Sequence, residues 1–222
     1  MNWEKNIKAL EQILIKVLKN NILPKKSYIA GGTALYYYLN HRISIDIDCF
    51  TPEPFHADTI THKSREIFDH VDVEIFEKDS LILFLSREKI KFSLFHFPYP
   101  LLSKLFSFEI GAQTLCPMAS LEDIEAMKAI ALVQRGSVKD FVDLYYLLRK
   151  THHTFEDIFT KIQRKYQVDE KYDYHLKTAM VYFFDAEPEI DDIVMIGEDK
   201  KARKMNKKDW EKIKAFFVRF CL

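Results

Sequence analysis

Hydrophobic residues change their spacing along this chain, and the change predicts strands in the first half and helices in the second. Over residues 7–18 apolar side chains recur every three or four positions, which is typical of an amphipathic helix. Residues 27–30 favour a short strand that leads into the diglycine Gly31-Gly32. A helix is then predicted from Thr33 to Leu39, with Thr33 as its N-cap.

The segment Ile43–Phe50 alternates strictly between apolar and polar residues. Ser44, Asp46 and Asp48 stand between isoleucines and a cysteine. An alternation of period two predicts a strand from which both aspartates project on one face. A helix is predicted over residues 56–68. Three more strands follow, at Val71–Phe76, Leu81–Ser86 and Ile90–Phe97.

The second half changes to helical spacing after a last short strand predicted at Gln113–Cys116. Ser120 followed by Asp123 resembles a capping box, and Gly136 is a suitable end for the helix that begins there. Four further helices are predicted, at Ser137–Lys150, Phe155–Tyr166, Lys171–Phe184 and Lys208–Phe220. The pattern therefore predicts an α+β fold, with a mixed sheet and flanking helices over residues 1–117 and a helical region over residues 118–222.

Charge and cysteine content limit the possible partners and compartments. With 33 basic and 33 acidic residues, the chain has no net charge that would attract a polyanion, so nucleic-acid contact would need a local patch. The lysine-rich run from Glu198 to Lys214 could form one, or could simply be a solvated surface. Three cysteines without a CxxC pair argue against a structural zinc and fit a reducing cytoplasm. Charges near the N-terminus and the lack of a long apolar run argue against a signal peptide and a membrane span, so a cytoplasmic protein is expected.

Candidate chemistry is concentrated between the diglycine and the alternating segment. Asp46 and Asp48, two positions apart on one predicted strand, would emerge roughly 7 Å apart on the same face. Such a pair can hold divalent ions against phosphate oxygens. Gly31-Gly32 would let a triphosphate approach backbone N–H groups, to which Thr33 can add a hydroxyl and Arg42 a guanidinium. A tight turn and a solvated strand face are the structural alternatives.

These residues stand in the segment AGGTALYYYLNHRISIDIDCF, which resembles the signature of the AbiEii/AbiGii-type nucleotidyltransferases of the polymerase-β-like superfamily. The later segment LEDIEAMKAIALVQRGSVKDFVDLYYLL is similar to the lysine and aspartate motifs of that family, and a weaker likeness continues to the C-terminal tail. The resemblance implies a polymerase-β-like core over residues 1–117. It also implies a metal-dependent enzyme that moves a nucleoside monophosphate from an NTP to an acceptor, and several members of this group are toxins of toxin–antitoxin or abortive-infection systems.

The resemblance assigns roles to the residues of the first segment. The nucleotide-binding group would be Gly31, Gly32, Thr33, Arg42 and Ser44. Asp46 and Asp48 would bind Mg²⁺ or Mn²⁺ and act as catalytic carboxylates. The partners implied are an NTP, an RNA acceptor such as a tRNA end, and a cognate antitoxin.

In the later segment the resemblance points to one lysine and two aspartates as catalytic. Lys128 would reach the triphosphate and stabilise charge on the leaving pyrophosphate. Asp140 or Asp143, which share one face of a helix, would complete the site as the last acidic motif. A solvated lysine and an aspartate that interacts with the helix dipole are the structural alternatives.

One departure from the family pattern concerns the predicted strand Ile90–Phe97. Many nucleotidyltransferases place a third acid on a later strand, where it often activates the incoming hydroxyl, but this strand offers Lys91 and Ser93 instead. Possible substitutes are Asp72, Glu74 and His96. Three hypotheses therefore stay open: an active nucleotidyltransferase, a catalytically degenerate binding module of the same fold, and an aminoglycoside-type enzyme acting on small molecules.

Overall fold

The computed structural model of the protein describes residues 3–111 and 114–222. Strands and helices alternate up to Ile67, five strands follow up to Met118, and helices prevail after it. The elements of the first part are α1 (Trp3–Lys19), β1 (Tyr28–Ile29), α2 (Gly31–Leu39), β2 (Ile47–Thr51), α3 (Ala57–Ile67), β3 (Val71–Phe76), β4 (Ser80–Leu85), β5 (Ile90–His96), β6 (Phe106–Ile110) and β7 (Thr114–Met118). The second part contains α4 (Leu121–Gln134), α5 (Val138–Thr151), α6 (Phe155–Tyr166), α7 (Tyr172–Val181), a 3-10 helix (Glu187–Asp192), β8 (Val194–Ile196), β9 (Ala202–Lys204) and α8 (Lys207–Phe220). The predicted α+β class with a helical C-terminal half is confirmed.

The described chain packs as two compact units. The first contains the chain up to Ala34 together with Ser44–Pro100 and Lys104–Ala119. The second contains Leu35–Ile43, Leu101–Ser103 and Ser120–Leu222. The segment 35–43 therefore packs with the C-terminal helices, although it precedes most of the strands in the sequence.

The first unit is built on a mixed sheet with strand order β3-β4-β5-β2-β1-β7-β6. Strand β2 is antiparallel to β1 and parallel to β5, and β1 is parallel to β7. The pairs β3–β4, β4–β5 and β6–β7 are antiparallel. Strands β2 and β5 therefore lie side by side near the middle of the sheet and point the same way.

Helix α1 covers one face of this sheet. Its buried side chains, Leu10, Ile13, Leu14 and Val17, follow the predicted helical spacing, and the helix contacts β5 and β7. Full burial of one such side chain contributes about 1.5–3 kcal/mol relative to an exposed one. The amphipathic pattern of residues 7–18 is therefore explained by one apolar face against the sheet.

Several boundaries and elements differ from the predictions. The second strand begins at Ile47 rather than Ile43, because residue 43 bonds elsewhere: its N–H donates to the Val194 carbonyl at 2.8 Å. The last strand of the first half runs from Thr114 to Met118, and residue 113 of the predicted strand lies outside the described residues. Strands β6, β8 and β9 were not predicted. Strand β6 does alternate between apolar and polar residues, whereas β8 and β9 contain only three residues each, too few for a pattern.

The second unit has its own core of aromatic and aliphatic side chains. Phe141 on α5 lies at its centre, with ring centroids 5.6 Å from Trp210 and 5.4 Å from Phe217 on α8. Ser120 caps α4 as predicted, since its hydroxyl accepts from the Asp123 N–H at 3.0 Å. None of the helices within residues 3–111 and 114–222 is long and apolar enough for a membrane crossing.

Candidate active site

In the first unit, the diglycine bend packs directly against the second strand. The Ala30 N–H donates to the Asp48 carbonyl at 3.2 Å. Gly31 has a φ of +71°, and a Cβ at this position would lie 2.9 Å from Asp48 Oδ2. Both the backbone conformation and the close approach require glycine. The Gly31 backbone therefore lies beside the Asp48 carboxylate.

Thr33 connects the start of α2 to the segment before β2. Its side chain is fully buried, and its hydroxyl donates to the Asp46 carbonyl and lies 3.2 Å from Ser44 Oγ. The prediction that Thr33 is an N-cap is wrong, because α2 begins at Gly31 and the hydroxyl is engaged with residues 44 and 46. Thr33 instead holds the segment that carries Asp46.

Asp46 and Asp48 differ from the apolar residues between and after them. Ile47 and Cys49 are fully buried, whereas both aspartates are half-buried, so the predicted alternation holds within β2. Burial raises the pKa of the Cys49 thiol well above its usual value, so Cys49 stays a neutral core residue. Because the strand begins at Ile47, Asp46 belongs to the preceding irregular segment and only Asp48 to the strand.

The Asp46 carboxylate is available for a ligand. In the part of the chain that the structure describes, no side chain donates a hydrogen bond to it or forms an ion pair with it. No group of three or more histidine, cysteine, aspartate or glutamate side chains suited to a metal ion occurs among residues 3–111 and 114–222. Two carboxylates still fit magnesium, which is usually bound through one or two carboxylates with water and phosphate as its other ligands.

The strand beside β2 carries a serine where a third acid was expected. In the parallel pairing of β2 with β5, Ser93 is the partner of Asp48 and is 1% exposed. Of the possible substitutes, Asp72 and Glu74 lie on β3, separated from β2 by β4 and β5. His96 Nδ1 lies 3.0 Å from the Asp79 carboxylate at the end of β5. No carboxylate on β5 therefore accompanies Asp48, since the seven residues of this strand include no acid.

In the second unit, Asp143 is the centre of a buried ion cluster. Its carboxylate accepts two bonds from the Arg42 guanidinium, Nε to Oδ1 at 2.6 Å and Nη2 to Oδ2 at 2.8 Å. His41 Nε2 lies 2.7 Å from Oδ1, and Lys128 Nζ lies 2.8 Å from Oδ2. The Asp143 side chain is fully buried, so these contacts replace the water that an ionised carboxylate needs.

Asp140 extends the same cluster toward the surface. It accepts from Lys128 Nζ at 2.9 Å and from Arg135 Nε at 2.7 Å. Lys128 is almost completely buried, whereas the Arg135 side chain is 62% exposed. The alternative of a solvated Lys128 is therefore wrong, since this lysine is buried and paired, whereas Asp140 does lie in the first turn of α5, as its structural alternative expected.

The charges of the cluster shift its proton equilibria. Burial alone would raise the pKa of Asp143, but Arg42 and Lys128 outweigh it and hold that pKa well below its usual value. The pKa of Asp140 is lowered in the same way, because Lys128 and Arg135 outweigh burial. Burial lowers the pKa of His41, which leaves the imidazole neutral. Both carboxylates therefore stay ionised and are unsuited to accept a proton at neutral pH.

The predicted site residues thus fall into two groups. Gly31, Gly32, Thr33, Ser44, Asp46 and Asp48 lie in the first unit, and Arg42, Lys128, Asp140 and Asp143 in the second. The sequence interpretation missed His41, whose only signal was its position beside Arg42. Its partner is 102 residues away, a separation at which sequence spacing carries no information.

Two further groups of residues with aromatic rings, a tyrosine run on α2 and a histidine after α5, are partly buried. Tyr36, Tyr37 and Tyr38 are all half-buried. His153 lies 2.8 Å from Glu125 and 2.6 Å from Lys161, inside the helical unit.

Comparison with known proteins agrees with the resemblance of the motifs. Residues 12–220 match the family model described as the nucleotidyl transferase AbiEii toxin of type IV toxin–antitoxin systems. An uncharacterized protein of Aquifex aeolicus (strain VF5) is 35% identical over 214 residues, which cover 95% of this chain and 91% of that protein. The fold is similar to that of MenT4, a nucleotidyltransferase toxin of Mycobacterium tuberculosis H37Rv, with a TM-score of 0.60 and 14% identity over 100% of this chain and 85% of that one. The family match extends over both segments that carry the candidate residues, so the chain belongs to the AbiEii nucleotidyltransferase toxin family.

Proposed function

We propose that this chain is an active nucleotidyltransferase that moves a nucleoside monophosphate from an NTP to an acceptor hydroxyl, with Asp46 and Asp48 as ligands of Mg²⁺ or Mn²⁺. The Asp46 carboxylate supports this most strongly, because it is half-buried without a protein cation among the described residues. A half-buried carboxylate loses part of its hydration, and here no protein cation compensates for that loss. A bound divalent ion would supply the missing favourable interaction.

The phosphates would bind at the diglycine. The lack of a Cβ at Gly31 lets the Asp48 carboxylate lie close to the backbone, and the start of α2 supplies backbone N–H groups with a favourable helix dipole. Thr33 and Ser44 would keep the opposite side of this bend in place through their hydroxyl contact. Arg42 is the remaining residue that the family motif assigns to the nucleotide.

Transfer would form a bond between the acceptor oxygen and the α-phosphorus and break the bond from that phosphorus to the β-bridging oxygen, which releases pyrophosphate. A bound divalent ion would neutralise charge on these oxygens. The family motif assigns Lys128 to the triphosphate, and its ammonium has three N–H donors, of which Asp140 and Asp143 take two. The acceptor proton would pass to water, because Ser93 rather than an acid is the strand partner of Asp48.

The decisive experiment measures transfer from α-labelled NTPs to RNA together with pyrophosphate release, with and without Mg²⁺ or Mn²⁺. We expect metal-dependent labelling by the wild type and none by Asp46→Ala or Asp48→Ala. Asp58→Ala, which removes an exposed aspartate of α3 in the same unit, is the matched control and should keep full activity. Equal labelling by wild type and Asp46→Ala would contradict the proposal.

A catalytically degenerate binding module is the second candidate, and Ser93 beside Asp48 is the observation that favours it. Such a protein would bind NTP in an Asp46-dependent manner but release no pyrophosphate with any acceptor. Calorimetry of NTP binding, measured beside the labelling assay, separates the two candidates.

For the acceptor we propose an RNA such as a tRNA end. The lysines at 200, 201, 207 and 208 are exposed around the β8–β9 hairpin and the start of α8, where they could contact phosphates. As a member of a toxin family the chain would act in the cytoplasm and be opposed by a cognate antitoxin. Growth arrest on expression, lost with Asp46→Ala, is the corresponding cellular readout.

A further inference from the structure

We propose that the buried ion pair between Arg42 and Asp143 positions the segment that carries Asp46, so that both are positioning residues for the metal site. The inference rests on the proposed function, because it assumes that Asp46 binds a divalent ion. It gives Arg42 a role that acts through the backbone of residues 43–46 rather than by contact with the nucleotide.

The first observation is the completeness with which Arg42 is held. Its guanidinium forms a two-point bond with Asp143 and donates through Nη1 to the Ile43 carbonyl at 3.1 Å. Arg42 is 4% exposed and Asp143 is fully buried, so water does not compete with either side chain for their mutual hydrogen bonds. A planar fork on a carboxylate fixes direction as well as distance, which an ammonium group cannot do.

The second observation is that the backbone around Arg42 is fixed too. Arg42 forms an antiparallel bridge with Met195, the Ile43 N–H donates to the Val194 carbonyl at 2.8 Å, and the Ile196 N–H donates to the His41 carbonyl at 2.9 Å. Main chain and side chain of residue 42 are therefore both anchored within the second unit.

The third observation concerns the residues that follow. Residues 43–46 form neither helix nor strand, and Asp46 is only four positions after Arg42. At its other end this segment is held by the Thr33 hydroxyl on the Asp46 carbonyl and by the start of β2 at Ile47. Since no described side chain bonds to the Asp46 carboxylate, its position depends on these backbone anchors.

A buried ion pair does not by itself indicate a stabilising role, because its replacement by well-packed apolar residues is often neutral or stabilising. The second unit offers a direct comparison in Asp123 and Lys165. Both side chains are fully buried and lie 2.7 Å apart, and Asp123 also accepts from the Leu102 and Ser103 N–H groups. A general structural role predicts the same behaviour for both pairs, whereas the positioning role predicts a difference in metal binding.

The test measures Mn²⁺ binding to the full-length protein by electron paramagnetic resonance, alongside urea unfolding. We expect Arg42→Lys and Asp143→Asn to weaken Mn²⁺ binding by about tenfold or more, as changes to residues that orient metal ligands do. Lys165→Met and Asp123→Asn should leave the Kd for Mn²⁺ within about twofold of wild type even where stability falls, because this ion pair joins α4 to α6. Should Asp143→Asn fail to fold, Arg42→Lys, which keeps the charge but loses the fork, decides the question.

The outcomes separate this inference from the proposed function. Wild-type Mn²⁺ binding that disappears in Asp46→Ala but is unchanged in Arg42→Lys overturns the positioning role and leaves the proposed function standing. An equal loss in Lys165→Met also overturns it, because the effect would then follow general stability. Wild-type protein that binds no Mn²⁺, or binds it equally in Asp46→Ala, overturns both.

Discussion

The carboxylates of the two units have opposite surroundings. In the first unit Asp46 is half-buried and lacks a cationic partner within the described residues. In the second unit Asp140 and Asp143 are fully buried, and cationic side chains contact each of them. An ionised carboxylate removed from water needs a partner. The comparison therefore teaches that the first unit leaves the Asp46 carboxylate without an internal cation, whereas the second unit pairs its buried carboxylates with cations of its own.

The second unit repeats this pairing of buried charges along helix α4. Asp123, Glu125 and Lys128 of α4 are all buried, and each has a partner of opposite charge. Lys165 and Lys161 on α6 pair with the two acids, and α5 supplies the aspartates for Lys128. A helix that is buried on every side cannot be recognised from an amphipathic pattern.

The largest expected effect separates catalysis from stability. Asp46→Asn should reduce kcat/KM by about 10³-fold, roughly 4 kcal/mol of transition-state stabilisation, because it removes a metal ligand. Its urea midpoint should stay at the wild-type value, since no protein contact of the carboxylate is lost. Steady-state kinetics and unfolding curves check this, with Asp58→Asn as the control. A large loss of stability in Asp46→Asn would show that the carboxylate has a structural role after all.

The second effect tests the paired carboxylates. Asp143→Ala should lower the free energy of unfolding by about 3–5 kcal/mol, because Arg42 and Lys128 would remain buried without their shared partner. Asp140→Ala should lower the free energy of unfolding by less, since Arg135 is largely exposed and Lys128 keeps its ion pair with Asp143. Urea unfolding followed by circular dichroism measures both, and equal losses would contradict the central place of Asp143 in the cluster.

A third prediction uses two glycines with similar backbone conformations. Gly31→Ala and Gly136→Ala should each cost about 1–2 kcal/mol of stability, because both have a left-handed φ, +71° and +56°. Gly31→Ala should also weaken Mn²⁺ binding, since its Cβ would displace Asp48 Oδ2. Gly136→Ala should not, as its Cβ would meet only the Leu132 carbonyl, at 3.4 Å. Unchanged Mn²⁺ binding in Gly31→Ala would argue against the close approach of Gly31 to Asp48.

The smallest effect concerns pH. Burial lowers the pKa of His41 below its usual 6.5, so the unfolded chain binds this proton more readily than the folded chain. Stability should therefore fall as the pH drops below about 6.5, by at most about 1.4 kcal/mol per pH unit for one proton. His41→Gln, which can still donate to Asp143, should flatten this slope between pH 7 and pH 5.

The control for the pH experiment is His62→Gln, which removes an exposed histidine of α3. Its stability profile should follow that of the wild type. A wild-type slope that persists in His41→Gln would place the titrating group elsewhere.

The sequence predicted the parts of the fold that depend on local order. The helical spacing of residues 7–18 and the N-cap at Ser120 needed only a few consecutive residues, and both were confirmed. The second bond of a capping box is not formed, because the Asp123 carboxylate instead accepts from the Leu102 N–H and from Lys165. The alternation that singled out Asp48 also held within β2, because strand residues face opposite sides in turn. The motifs pointed to the AbiEii family, which the family model confirmed.

What the sequence could not provide was the choice of long-range partners. The start of β2 was predicted four residues too early, because the Ile43 N–H bonds to Val194 instead of a strand of the sheet. That pairing joins residues about 150 positions apart, and alternation cannot encode it.

The sequence by itself therefore determined the family, the order of the main elements and the glycine and aspartate motif, because these follow from neighbouring residues. Only the tertiary structure decided that Asp46 stands without a cation among the described residues while Asp143 is bonded to His41, Arg42 and Lys128. The physical reason is that the state of a carboxylate depends on burial and on nearby charges, and those are set by contacts between residues far apart in the chain.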